Sequence, residues 1–121
     1  MPRTIPLLRV FDYDQAIAFY IDWLGFTLLR EDKPEAGRFY LEIAREDIIL
    51  GLIQHPDDGS MGAWVLIREF KGLVPYRDTF PPASPFPRPA LRQVPQEPRT
   101  LSMTVIDPFY NRIEFREKMG G

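Results

Sequence analysis

Two segments far apart in the chain restrict its fold more than any other feature. FDYDQAIAFYIDWLGF spans residues 11–26, and MTVIDPFYNRIEFRE spans residues 103–117. The first predicts a capped amphipathic helix. Asp12 is placed as the N-cap, with Gln15 at capping-box spacing. Ala16, Phe19, Tyr20, Trp23 and Leu24 recur at helical intervals and form one apolar stripe. Gly25 supplies a left-handed stop. The second segment predicts two strands folded about a tight turn that Pro108 fixes, with the side chains of Asp107 and Asn111 capping its backbone amides. A helix with one apolar stripe needs a sheet to cover it, so the two segments together predict a small twisted-sheet α+β protein.

The rest of the chain fits that frame. Residues 4–11 read as a strand, with Pro6 suited to its start or to a sheet edge. Residues 27–30 read as a second strand, followed by a polar turn over 32–37. Residues 39–44 alternate, with Phe39, Leu41 and Ile43 on one face and Tyr40 and Glu42 on the other. Residues 48–53 are an apolar strand broken by Gly51, so the first half reads β-α-β-β-β. A polar link near 55–62 precedes a fifth strand at 62–67. Residues 75–98 then hold eight prolines in 24 residues, which rules out a long regular helix. This arm is either ordered, anchored by Tyr76, Phe80, Phe86 and Leu91 with room for one more short strand, or a flexible linker. Strands at 100–106 and 112–116 close the sheet. The halves read as degenerate copies: residues 1–57 form one βαβββ module and 58–121 a second that lacks a clear helix.

Bulk properties remove several classes of function. A chain of 121 residues suffices for one domain or two very small half-domains. With no cysteine it has no disulfide, thiolate metal site or cysteine nucleophile, which suits a cytoplasmic location. The net charge is −2, with both signs mixed and no basic stripe, so nucleic acid is not an expected partner. No apolar run is long enough to span a membrane, and the start of the chain is too short and too charged for a signal peptide.

FDYDQAIAFYIDWLGF, GRFYLEIAREDIIL and MTVIDPFYNRIEFRE, in that order, resemble the vicinal oxygen chelate superfamily, and within it the glyoxalase/bleomycin-resistance-like proteins. The resemblance covers roughly residues 4–68 and 99–117. It implies paired βαβββ modules forming a curled mixed sheet around a cavity, a homodimer, and a small-molecule ligand. In the family's enzymes, His, Gln or Glu from the first and last strands of each module hold a divalent metal. Those positions fall here near Ile5, Gly51 and Gly62 and on Glu114, and of these only Glu114 offers a metal ligand. One carboxylate does not make a metal site, so no cofactor is expected. Tyr110 stands where the family usually has glycine. It is either strained at a positive φ, in a turn that differs, or displayed over the pocket mouth.

Other motifs are weaker. His55, the only histidine, lies in a His-Pro-Asp-Asp turn, where a solvated role outweighs cation binding with Asp57 or Asp58. The Asp57-Asp58-Gly59-Ser60 stretch lacks the spacing of a calcium loop. If Leu8, Val10, Leu50, Leu52, Ile113 and Phe115 face the helices, alternation turns Arg9, Tyr40, Glu42, Trp64, Leu66, Arg112, Glu114 and Arg116 toward the cavity, with Gly51 leaving space. Arg9, Tyr40, Glu42, Trp64, Leu66 and Glu114 are therefore the candidate ligand-binding residues, with no catalytic or metal residue assigned. Each has a plainer role available: Trp64 in a dimer interface, Glu114 paired with Arg9, Arg112 and Arg116 exposed on a rim. The leading expectation is a metal-free binding protein that sequesters an antibiotic or toxic aromatic compound. The rivals are a metal-dependent lyase, isomerase or dioxygenase, and a non-catalytic partner that binds through the proline-rich arm.

Overall fold

The computed structural model describes residues 2–35, 38–54, 62–82 and 84–120. Its architecture is α+β, with two four-stranded mixed sheets and few helices. The chain divides into two compact units, Met1–Ala63 with Asp107–Asn111, and Trp64–Ile106 with Arg112–Gly121.

In the first unit β1 (Leu7–Arg9) leads to α1 (Tyr13–Ala16), which continues as a π-helical segment, Ile17–Trp23. Three strands follow: β2 (Thr27–Glu35), β3 (Arg38–Arg45) and β4 (Ile48–Gln54). The sheet order is β1-β4-β3-β2, with β1 parallel to β4 and the other pairs antiparallel. Asp12 caps α1: its carboxylate accepts from the Gln15 backbone N–H at 2.9 Å. Gly25 closes the helical run at φ 82°, a conformation glycine adopts without a Cβ clash. The Leu24 N–H reaches back to the Phe19 carbonyl at 2.8 Å, a wider turn that helical periodicity did not signal. Phe19, Tyr20 and Trp23 pack on one another from this turn and are buried.

The strand boundaries differ most from the sequence reading at β1 and β2. β1 begins at Leu7, because the Pro6 carbonyl is the last to meet β4, accepting from the Gly51 N–H at 2.8 Å. β2 runs on through Glu35, where a polar turn was expected from residue 32. Asp32 pairs with Tyr40 in the β2–β3 ladder, with register shifts on either side. An edge strand needs no apolar face along its whole length, so polar residues conceal it from periodicity.

The second unit repeats the pattern: β5 (Trp64–Ile67), α2 (Leu73–Asp78), β6 (Leu91–Gln93), β7 (Thr100–Ile106) and β8 (Arg112–Lys118). Its sheet order is β5-β8-β7-β6, again with one parallel pair, β5 with β8. The helix expected to be missing is present, though only six residues long. Pro75 lies in its first turn, where a missing N–H costs nothing. The Glu117 carboxylate accepts from the Gly72 and Leu73 N–H groups, both at 2.9 Å, and so caps it. The proline-rich arm is packed at both ends. Tyr76 and Phe80 pack edge-to-face, Tyr76 also meets Phe70 and Phe115, and Val94 is buried. Phe86 and Leu91, also expected to anchor the arm, are only half-buried.

Leu8, Val10, Leu50, Leu52, Ile113 and Phe115 are all at most 1% exposed, so the face carrying each unit's core is the one alternation assigned. No helix among the described residues is long and apolar enough to cross a membrane.

Candidate functional site

With the core faces settled, the opposite face of each sheet carries the candidate residues. In the first unit, two cross-strand rows run over that outer face: Leu7–Gly51–Glu42–Arg30 and Arg9–Ile53–Tyr40–Asp32. This brings Arg9, Tyr40 and Glu42 onto one face. The Tyr40 hydroxyl donates to Glu42 Oε2 at 2.8 Å. Desolvation, followed by that hydrogen bond and the charge of Glu42, pushes the phenol up to about 12. Arg30 pairs with Asp32 at 2.9 Å, well exposed. The Arg9 guanidinium lies 5.2 Å from the centre of the Phe11 ring.

Gly51 does not leave the open space expected of it. A Cβ there would sit 2.5 Å from Leu7 Cδ2 and 3.0 Å from the Tyr40 ring and hydroxyl. The glycine is needed so that two side chains can lie across the strand. A shallow pocket of about 210 Å³ opens beside Tyr40, lined by Asp32, Pro34, Arg38 and Ile53 among others, and its wall is mainly apolar.

The turn Asp107–Asn111 belongs to the first unit and is built as the sequence implied. Asp107 Oδ1 accepts from the Phe109 and Asn111 N–H groups, both at 2.8 Å. Its Oδ2 accepts from the Tyr20 hydroxyl at 2.6 Å and from Asn111 Nδ2 at 2.9 Å. Asn111 Nδ2 also donates to the Arg9 carbonyl at 2.8 Å. Burial nevertheless holds the Asp107 carboxyl above its usual value, outweighing these bonds. Tyr110 adopts φ 71° and is 68% exposed, so it is both in the left-handed region and displayed.

In the second unit the outer face of the sheet carries the rows Trp64–Arg112–Ile106 and Leu66–Glu114–Thr104. Trp64, Leu66 and Glu114 are thus together on one face. Trp64 is 65% exposed, and the Arg112 guanidinium lies 5.9 Å from its ring centre. Glu114 is buried at 6% exposure. Its Oε2 accepts from Ser102 Oγ at 2.8 Å and from Arg116 Nε at 2.6 Å. Arg116 also grips Glu97, which binds Arg68 through two bonds of 2.9 and 3.1 Å. Burial works to raise the Glu114 carboxyl, but hydrogen bonds from Arg116 and Ser102, the Arg116 charge and the Trp64 indole leave it lowered. The ion partner of Glu114 is therefore Arg116, two residues along the same strand, rather than Arg9 in the other sheet. The Glu-x-Arg spacing within IEFR carried that signal, since i and i+2 share a strand face. Ser102, Glu97 and Arg68 join through tertiary placement, which no local pattern marks.

The residues at the family's metal positions do not fit a divalent ion. Ile5, Gly51 and Gly62 have no donor side chain, and the Glu114 carboxylate is already held by a guanidinium and a hydroxyl. Among the described residues no group of three or more His, Asp or Glu side chains lies together. His55, Asp57, Asp58 and the 57–60 stretch lie outside the described residues.

A family profile described as glyoxalase superfamily protein matches residues 1–121. No curated protein sequence matches the chain. Among solved structures, a bleomycin-binding protein complexed with bleomycin superposes with a TM-score of 0.65 at 17% identity, over 98% of this chain and 100% of the other. A bleomycin resistance determinant encoded on the transposon Tn5 gives 0.67 at 20% identity, over 99% and 100%. A lactoylglutathione lyase from Agrobacterium tumefaciens gives 0.69 at 20% identity, over 97% and 95%. At such identities these likenesses establish the fold, which binding proteins and an enzyme share.

Proposed function

The chain belongs to the glyoxalase superfamily, and on that premise we propose that it binds and sequesters a small aromatic or amphipathic molecule without a catalytic metal. The proposal extends to a homodimer acting in the cytoplasm, with neither nucleic acid nor membrane as a partner. One observation carries the reading. At the positions where the family's enzymes gather donors, this chain has Ile5, Gly51 and Gly62, and its one carboxylate, Glu114, is engaged by Arg116 and Ser102. The Arg116 charge and the two hydrogen bonds lower the basicity of this carboxylate, which makes it a weak general base, and one carboxylate supplies too few donors for a catalytic ion. What remains on the outer faces is suited to binding: the Tyr40–Glu42 pair, Arg9, Trp64 and Leu66.

Bleomycin is the first ligand to try, since the bleomycin-binding protein of the same fold is complexed with it. Calorimetric titration with bleomycin and a panel of aromatic antibiotics is expected to show saturable binding of at least one compound, recovered unchanged afterwards. Silence across the panel removes the antibiotic version of the reading. Turnover of a bound compound would favour the lyase, isomerase or dioxygenase reading instead. Sedimentation of the purified protein checks the dimer, for which Leu29, 55% exposed on the edge strand β2, supplies apolar surface.

A further inference from the structure

We propose that the outer face of the second sheet selects a planar aromatic anion, its ring stacked on Trp64 and its anionic group met by Arg112. This deepens the small-molecule reading above, on which it rests, by adding the sign of the ligand's charge.

The first ground is the charge balance of that face. Arg68, Glu97, Arg116 and Glu114 form one continuous ladder of two cations and two anions, each bonded to the next. The ladder neutralises itself and offers an incoming ligand no free carboxylate. Arg112 and Arg92 lie on the same face, since Arg112 is paired with Trp64 and Ile106, and Arg92 with Ser102. Both are exposed, and neither forms an ion pair with a described residue. Among the described residues the uncompensated charge on the face is therefore positive, although the chain as a whole carries −2. A guanidinium in this state meets a carboxylate or phosphate through two parallel hydrogen bonds.

The second ground is the platform beside it. Trp64 is 65% exposed, with Leu66 two residues along β5 at 41% and Ile106, beyond Arg112 in the same row, at 55%. Three large exposed apolar side chains on one sheet face, around Arg112, form the kind of patch that binding surfaces use. The Arg112 guanidinium lies 5.9 Å from the Trp64 ring centre, close enough to stack but leaving most of the indole uncovered. One planar ligand can lie against the indole and reach the guanidinium with a substituent. A cationic ligand on the same indole would meet the Arg112 guanidinium in the same cross-strand row, and like charges disfavour it.

Three probes of one shape isolate the charge: 1-naphthoate, neutral 1-naphthamide and 1-naphthylmethylammonium. Affinity is read by calorimetry, and location by the indole N–H signal of Trp64 in a ¹H–¹⁵N spectrum. Naphthoate is expected to bind roughly tenfold tighter than the ammonium probe, and to shift the Trp64 signal. In Arg112→Gln, an exposed substitution, naphthoate should weaken to about the affinity of naphthamide while naphthamide is unchanged. Trp64→Leu should weaken all three. Equal or tighter binding of the ammonium probe would overturn the anion assignment yet leave sequestration standing. Naphthoate affinity indifferent to Arg112→Gln would overturn it too. If none of the three probes binds, the assignment fails, and the antibiotic panel alone then decides the wider reading.

Discussion

Asp107 and Glu114 are two buried carboxylates seven residues apart in the same hairpin, and their pKa values move in opposite directions. Asp107 accepts four hydrogen bonds, all from neutral donors: two backbone amides, the Tyr20 hydroxyl and the Asn111 amide. Burial still wins, and its carboxyl is raised. Glu114 is held by fewer donors, but one is the Arg116 guanidinium, and its carboxyl is lowered. Neutral dipoles satisfy a buried carboxylate's geometry, whereas a cation also settles its charge. Asp107 shapes a turn in the first unit; Glu114 anchors a charge ladder in the second.

The largest expected effect comes from deleting the turn carboxylate. Asp107→Ala orphans four donors and is expected to cost about 3 kcal/mol in urea unfolding, with loss of the hairpin tip. The neutral isosteres give the sharper contrast. Glu114→Gln leaves a guanidinium short of one carboxylate and should cost about 2 kcal/mol, while Asp107→Asn, which gives up a charge that burial already opposes, should cost about 1. An equal cost for the two isosteres breaks the distinction between cation and dipole.

Acid titration tests the same distinction without mutation. The folded pKa of Glu114 lies below 4.5, so its stabilisation is complete above that value and is lost as pH falls through the lowered one. The folded pKa of Asp107 lies above 3.8, so its contribution is complete below that value and declines as pH rises through the raised one. Carboxyl ¹³C shifts should therefore show Glu114 titrating below the ordinary glutamate value and Asp107 above the ordinary aspartate value.

Tyr40 extends the comparison to alkali. Its phenol is raised from 10.0 to about 12, so the stability it supplies is present below pH 10 and lost between those values. Tyr40→Phe should cost about 1 kcal/mol at neutral pH through the lost Glu42 bond, and should flatten the decline above pH 10. The smallest effect is expected at the turn itself. Tyr110→Gly relieves a φ of 71° in the folded state but frees the unfolded chain, for a net gain of a few tenths of a kcal/mol by thermal melting.

Much of this was legible in the sequence, because one physical rule carried it. Period-two alternation placed Leu8, Leu52, Ile113 and Phe115 inside, and therefore Arg9, Tyr40, Glu42, Trp64, Leu66 and Glu114 on the outer faces. The capping spacing of Asp12 and the left-handed Gly25 gave the bounds of the helical run. What was not legible depends on tertiary partners. The α2 helix has too few residues for a period, and its stability comes from the Glu117 cap and the packing of Tyr76 on Phe70 and Phe115. The continuation of β2 depends on pairing with β3 rather than on its own composition. Gly51 looked like vacant space, because the sequence does not say that the Tyr40 ring and Leu7 cross over it. Glu114 was paired in expectation with Arg9, although Arg116 two residues along the strand was legible, and Ser102, twelve residues earlier, is invisible to local spacing. The tie between Tyr20 and Asp107 spans 87 residues and has no local signature at all.

The most direct test of the central claim is elemental analysis of the protein after exposure to zinc, nickel, manganese and iron and removal of excess ion, for wild type and Glu114→Gln. With Glu114 held by Arg116, well under one ion per chain is expected in both. One tightly held ion per chain in the wild type that disappears in Glu114→Gln would contradict it.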